Sequence, residues 1–329
     1  MDEIRLKKTL QPVERDGKIY FGVGQPGLER TIDSSEENKR FLRFLNKEID
    51  KENLNLSQSA IDEKMSFFER NGLLTTNNYQ KEYRYSRNLN FFEWMDTTDN
   101  IDPQKHQDRL SEATILVVGL GGIGANVCEI LVRLGVSKLI ILDNDVVDES
   151  NLTRQGTYFE EDIGRLKVNV VEKYLRKINS KIEIEKVNTF LETKEDLRSV
   201  FDTYQFDLSI CCADIPKIII DSWFDELSIE YNRPFVAGSY ASTVINTFCM
   251  HPEKTITSSQ LYGERGATRE QLLDDISFPT SVIAPVTFMA AGLIAYQVQS
   301  VITGLNYKEQ AVQIDIFNWK VYEYDLSKK

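Results

Sequence analysis

Apolar and polar positions change rhythm along this 329-residue chain. Near the start the alternation is short. Residues 10–23 alternate weakly about Asp16-Gly17, and an Asp-Gly pair between two short alternating runs predicts a β-hairpin. Apolar residues then recur at helical spacing. Phe41, Leu42, Phe44 and Leu45 predict one helix behind a capping box of Ser34 and Glu37. Ile61, Met65, Phe67 and Phe68 predict a second, opened by Asn55-Leu56-Ser57 and stopped at Asn71-Gly72. Leu73 to Thr76 reads as a short wing strand. A hairpin, two short helices and a wing make a separate small domain over residues 1–92.

From 93 to 329 the rhythm is that of an α/β domain. Ile115 to Val118 is an unbroken apolar run, too short for a helix and β-branched enough for a buried strand. Gly119, Gly121, Gly122 and Gly124 follow, then an amphipathic helix to about Leu134. Leu139 to Leu142 is a second apolar strand and ends on Asp143. Beyond it the pattern predicts helices at 168–178, 191–200, 218–224 and 287–302, and strands at 182–187, 206–212, 235–240 and 244–250. Two edge strands, 311–317 and 320–324, close the chain. Strands that alternate with helices predict a Rossmann-like, mostly parallel sheet, here extended by antiparallel strands.

Composition narrows the classes. Hydrophobic content of 41% and charged content of 27% fit an ordinary globular protein. A formal net charge of −12 argues against nucleic acid as the main partner, because a surface that neutralises phosphates should be basic. No N-terminal apolar run suggests a signal peptide, and no stretch is expected to span a membrane. Cys128, Cys211, Cys212 and Cys249 form no C-x-x-C pair and read as buried free thiols in a reducing cytoplasm.

The candidate chemistry lies at 115–167. Strand, glycine turn, helix, strand and acid make a nucleotide-binding βαβ unit. The glycines let a phosphate approach the amides at the helix N-terminus, and Asp143 has the spacing of a ribose ligand. Gly119, Gly121 and Gly124 alone also satisfy the dinucleotide pattern, so an NAD(P)-dependent oxidoreductase stays open. The residues after Asp143 favour a triphosphate. Asp145, Asn151, Arg154, Gln155 and Lys167 put an amide, a guanidinium and an ammonium just past the second strand, where charge on leaving phosphates needs neutralising. Asp214, at the end of the 206–212 strand, is placed to hold Mg²⁺ or to cap the next helix.

These residues carry a resemblance. GLGGIG, LDNDVVDESNLTRQ, GRLK and Ala213-Asp214 resemble the ThiF/MoeB/HesA and ubiquitin-activating superfamily of adenylating enzymes. The resemblance implies Mg·ATP on the Gly119–Gly124 turn, ribose on Asp143, phosphates on Asn151, Arg154 and Lys167, and Mg²⁺ on Asp214. Arg84-Tyr85-Ser86-Arg87 matches a motif whose arginine acts across a homodimer, a role that would fall on Arg87. Zinc-binding C-x-x-C pairs of many members are missing, so no zinc is expected. The 258–279 crossover loop holds no cysteine, so thioester formation is disfavoured.

Arg84 to Asn88, Asn151 to Gln155, Ala213-Asp214 and Ala284-Pro285-Val286 together resemble the MccB-type peptide nucleotidyltransferases of microcin C biosynthesis. That implies a short ribosomally made peptide as substrate and, for residues 1–92, a winged-helix-like peptide clamp. A dimerisation lobe is the other reading of that domain. ATP and CTP both stay open. So do a Gly-Gly-ended sulfur-carrier protein as substrate and an inactive binding scaffold.

Overall fold

The computed structural model describes residues 4–328 except 26, 28, 99, 217–218 and 264–280. Two compact units emerge, Met1–Arg109 and Leu110–Lys329. The expected line at residue 92 falls inside a helix of the first unit. Residues beyond it bond back within that unit. Thr76 N–H donates to Ile101 O, and His106 Nε2 lies 2.8 Å from Asp96 Oδ2.

In the first unit, β1 (Arg5–Leu6) leads to the hairpin of β2 (Val13–Arg15) and β3 (Lys18–Phe21), joined by β4 (Arg30–Asp33) in an antiparallel sheet. Arg15 pairs with Lys18, so Asp16 and Gly17 form the two-residue turn, both at positive φ. Helix α1 is Glu36–Leu45. Ser35 caps it, one residue later than expected, accepting from Asn38 N–H at 3.1 Å, while Ser34 bonds to Glu14. Helix α2 (Gln58–Arg70) is capped by Ser57. β5 (Leu74–Thr75), the expected wing, pairs with β1 and does not join the hairpin. Helix α3 (Ser86–Met95) begins within the Arg84-Tyr85-Ser86-Arg87 stretch. Phe21, Phe41, Phe68, Leu6, Leu45 and Leu73 form the core of this unit.

The second unit begins within α4 (Gln104–Glu112) and is built on one eight-stranded sheet. Its strands are β6 (Thr114–Val118), β7 (Lys138–Leu142), β8 (Glu183–Val187), β9 (Leu208–Cys211), β10 (Phe235–Ala241), β11 (Val244–Met250), β12 (Gln310–Asp315) and β13 (Lys320–Asp325), in the order β13-β12-β11-β10-β9-β6-β7-β8. From β10 to β8 every pairing is parallel; from β10 to β13 every pairing is antiparallel. Only β13 of the last pair is an edge, since β12 pairs on both sides. Parallel strands need crossovers, and the helices α5 (Gly124–Leu134), α6 (Lys167–Ile178), α7 (Lys194–Thr203) and α8 (Ile219–Tyr231) supply them. Thr193 caps α7, so Leu191 stays outside a helix expected to include it.

Helix α9 (Ser258–Tyr262) occupies the start of the expected crossover loop, most of which lies outside the described residues. Helix α10 (Ala284–Thr303) corrects one expectation: it is long and apolar enough to cross a membrane. Its apolarity has a use within the fold. Val286, Ala290, Ala291, Ile294 and Val298 are buried as it packs on α5, β10 and β11. Three of the four cysteines are buried, and Cys212 is only partly so.

Candidate active site

The carboxyl ends of β6, β7, β9 and β10 open into a cleft of about 810 Å³. Open α/β sheets bind ligands at this edge, where crossovers on opposite faces part. Gly119, Gly121, Gly122, Asp143, Asp145, Asn151, Arg154, Gln155, Lys167 and Asp214 all line it. Gly124 sits behind the turn. Arg87 belongs to the other unit, exposed in the first turn of α3.

The glycines are required by contact as well as by conformation. Gly119 has φ +90°, and a Cβ there would meet Ala213 N at 2.8 Å. A Cβ on Gly124 would lie 1.8 Å from Gly119 O. The chain thus doubles back tightly into α5, and no side chain caps that helix. The Ala125 N–H already donates to Gly121 O at 3.2 Å, so an anion here would be met by the other N–H groups of the first turn.

Asp143 is buried and does two jobs. Leu120 N–H donates to its Oδ2 at 2.6 Å and Asp145 N–H to its Oδ1 at 2.8 Å. Each oxygen keeps a lone pair for a sugar hydroxyl. Burial raises its carboxyl, although Lys167 and the two N–H groups oppose the rise. Lys167 is buried too, and its Nζ donates to Asp145 Oδ2 at 2.7 Å. The ammonium is therefore held in place by Asp145 and retains two further protons to donate.

Asn151 Oδ1 accepts from Asp148 N–H at 3.1 Å in a capping box, which leaves the amide nitrogen as its free-handed donor. Arg154 is steered from both ends. Its Nη1 donates to Ser150 O at 2.8 Å, and its own carbonyl accepts from Thr287 Oγ1 at 2.9 Å. Gln155 is 3% exposed, and its Oε1 has no partner among the described residues. Asp214 is exposed and follows the end of β9. Ile220 N–H bonds to Pro216 O at the start of α8.

Sequence reasoning missed three cleft residues. Tyr240, on β10, lies between Arg154 and Asp214. Burial pushes its phenol up, Arg154 pulls it down and Asp214 pushes it up, so it stays a neutral donor. Phe190 offers a half-exposed ring beyond β8. Asp221 lies in the first turn of α8. None had a signal in the sequence beyond being a lone aromatic or acid beside a strand end.

Among the described residues no group of three His, Cys, Asp or Glu side chains converges. Asp214 alone still suits Mg²⁺, which is commonly held by one or two carboxylates with phosphate oxygens completing its shell.

The ThiF family model covers residues 85–329. The chain belongs to the ThiF family. Curated relatives of this ThiF-family chain include the adenylyltransferase and sulfurtransferase UBA4 of Meyerozyma guilliermondii, 31% identical over 163 residues, which are 49% of this chain and 35% of that protein. The sulfur carrier protein adenylyltransferase of Thermus thermophilus is 36% identical over 134 residues, 40% of this chain and 47% of the other. The chain therefore spans less than half the length of either relative. Among solved structures, E. coli MccB with AMPCPP and MccA is similar at TM-score 0.81 and 22% identity, over 99% of this chain and 97% of that one. This likeness of fold extends through residues 1–84, outside the family match.

Proposed function

We propose that this chain transfers a nucleotide from Mg·ATP or Mg·CTP to the C-terminal end of a short ribosomally made peptide, releasing pyrophosphate, in the making of a peptide-nucleotide antibiotic of the microcin C type. One observation carries the reading. The likeness to MccB, a protein crystallised with MccA and with ATP, runs through the N-terminal unit as well as the cleft. The curated relatives share no more than about half of the chain.

The cleft residues have matching roles. The N-terminus of α5 and the Gly119–Gly124 turn receive phosphate oxygens. Asp143 receives the ribose, and Phe190 offers an aromatic face to the base. Arg154 and Lys167 neutralise charge on the leaving pyrophosphate, with the Asn151 amide beside them. Asp214 would hold Mg²⁺, which supplies charge stabilisation on the phosphates. Arg87 acts from the partner subunit of a homodimer. Each cation is worth a few kcal/mol of transition-state stabilisation, on the order of 10²–10³ in rate.

The names of the curated relatives favour a second reading, activation of a sulfur-carrier protein ending in Gly-Gly. Pyrophosphate exchange separates the two. Exchange with Mg·ATP or Mg·CTP that depends on a synthetic peptide ending in Asn, and is lost in Asp214→Ala and Arg87→Ala, supports peptide transfer. Exchange that depends only on a Gly-Gly carrier refutes it.

A further inference from the structure

Helix α8 carries two carboxylates one turn apart, and their surroundings differ. Asp225 is 4% exposed and fully engaged. It accepts from Ser258 N–H at 2.8 Å, Ser258 Oγ at 2.6 Å, Ser259 N–H at 2.9 Å and Ser259 Oγ at 2.8 Å. Asp221 faces the cleft instead. Its Oδ1 receives one long contact, from the Cys211 thiol at 3.7 Å, and no cation pairs with it among the described residues. Farther along α8, Glu226 and Glu230 are paired with Lys194 and Arg198 of α7. Asp221 is thus the uncompensated acid of this helix, and it is open to a ligand.

Elsewhere in the cleft wall the buried Gln155 Oε1 has no donor among the described residues. One acceptor met only by a long thiol contact, and one with no donor among the described residues, suit a ligand that brings N–H groups. A carboxylate substrate would be repelled by Asp221, and it needs no base because it is ionised at neutral pH. A neutral nitrogen does need one.

We propose that Asp221 is a catalytic base, taking the proton from an amide or imide nitrogen of the substrate peptide as that nitrogen attacks the α-phosphorus. This rests on the nucleotidyl-transfer reading above and narrows its nucleophile to nitrogen. The nitrogen lone pair forms the N–P bond. The N–H bonding pair stays on nitrogen as the proton moves to the Asp221 carboxylate. The P–O bonding pair leaves with pyrophosphate, and nothing is oxidised or reduced. Asp221 then returns its proton to solvent through the open cleft.

The setting suits the task. Burial first, and the charge of Asp225 second, push the Asp221 carboxyl up to about 6, against a lowering by the Cys211 thiol. Bases poised near the working pH transfer protons most effectively. A pair of acids with divergent surroundings is also how such roles are divided elsewhere.

The test uses the full-length protein, Mg·ATP and Mg·CTP, and two substrates: a synthetic peptide ending in Asn and a Gly-Gly carrier protein. Peptide–nucleotide product is followed by mass from pH 5 to 8. Wild type should show a rate that rises with pH through about 6. Asp221→Asn should lower kcat at neutral pH by roughly 10²–10⁴ and abolish that rise. ATP affinity by equilibrium dialysis should stay within about twofold, and Asp221→Glu should restore part of the rate. Peptide product with an unchanged rate and pH profile in Asp221→Asn overturns the base and leaves nucleotidyl transfer standing. Activity on the carrier alone, or on neither substrate, overturns the nitrogen nucleophile together with the reading beneath it.

Discussion

Asp225 offers a quantitative test of how the start of the 258–280 segment is held. Replacing it with Ala removes the acceptor for four hydrogen bonds at the first turn of α9. The exposed Ser259 hydroxyl can turn to water, but that of the buried Ser258 cannot. The two backbone N–H groups cannot, since a first helical turn has no internal acceptor for them. An unmet buried donor costs about 1–3 kcal/mol, so α9 should lose roughly 2–5 kcal/mol of local stability. Asp225→Asn keeps one oxygen. Facing Ser259 it would satisfy three donors and turn its NH₂ toward Ser258 N–H, so the loss should be about 1–3 kcal/mol.

Hydrogen exchange by mass spectrometry on peptides spanning 256–262 reads this directly, because local opening sets the exchange rate. A loss of about 2 kcal/mol accelerates exchange roughly 30-fold. Ala should exceed Asn, and peptides from β6 and β7 should not change. Exchange at 258–261 within about threefold of wild type in Asp225→Ala would refute the pinning role. The same substitution removes a negative charge one turn from Asp221. The Asp221 carboxyl should then ionise more easily, and any rising pH limb should move to lower pH.

Two further predictions address each unit. Gly121→Ala adds a Cβ that meets nothing within 4 Å, so the fold should persist while nucleotide affinity falls; Gly124→Ala drives a Cβ to 1.8 Å from Gly119 O and should cost about 3 kcal/mol or more, as thermal unfolding would show. In the first unit, burial alone would raise the Asp96 carboxyl, but hydrogen bonds from His106, Thr98 and Asn100 hold it well below the usual carboxylate range. Its stabilisation is present above about pH 4 and is lost as pH falls toward that depressed value. Asp96→Asn should therefore cost about 2 kcal/mol at pH 7 and about 1 kcal/mol less at pH 3 by urea unfolding, and an equal cost at both would refute the linkage.

The sheet and the glycine turn were legible because their signals are local. Ile115 to Val118 is buried on both faces, so the strand reads as one apolar run. Gly119 and Gly124 are fixed by a backbone approach that no other residue permits. The capping residue of α1 was missed by one position because Ser34 and Ser35 are equivalent chemically, and only the hydrogen bond to Asn38 separates them. The strand at 74–75 found a partner, Arg5–Leu6, far away in sequence, which periodicity does not encode. Asp221 and Tyr240 were invisible for a related reason. Their surroundings are made by elements that meet only in three dimensions, and nothing in DSWFDE or GSYAS marks one residue as facing a cleft.

Asp143 gives both carboxylate oxygens to backbone N–H groups of the loops it joins. Changing it would leave two donors unmet in the turn that shapes the phosphate cradle, whatever sugar occupies the site. If Asp143 receives the ribose as proposed, selectivity between ribose and its modified forms has little room to evolve at position 143. It would have to arise at neighbouring cleft residues such as Thr189 and Phe190, which follow the adjacent strand β8 and lie outside the glycine turn.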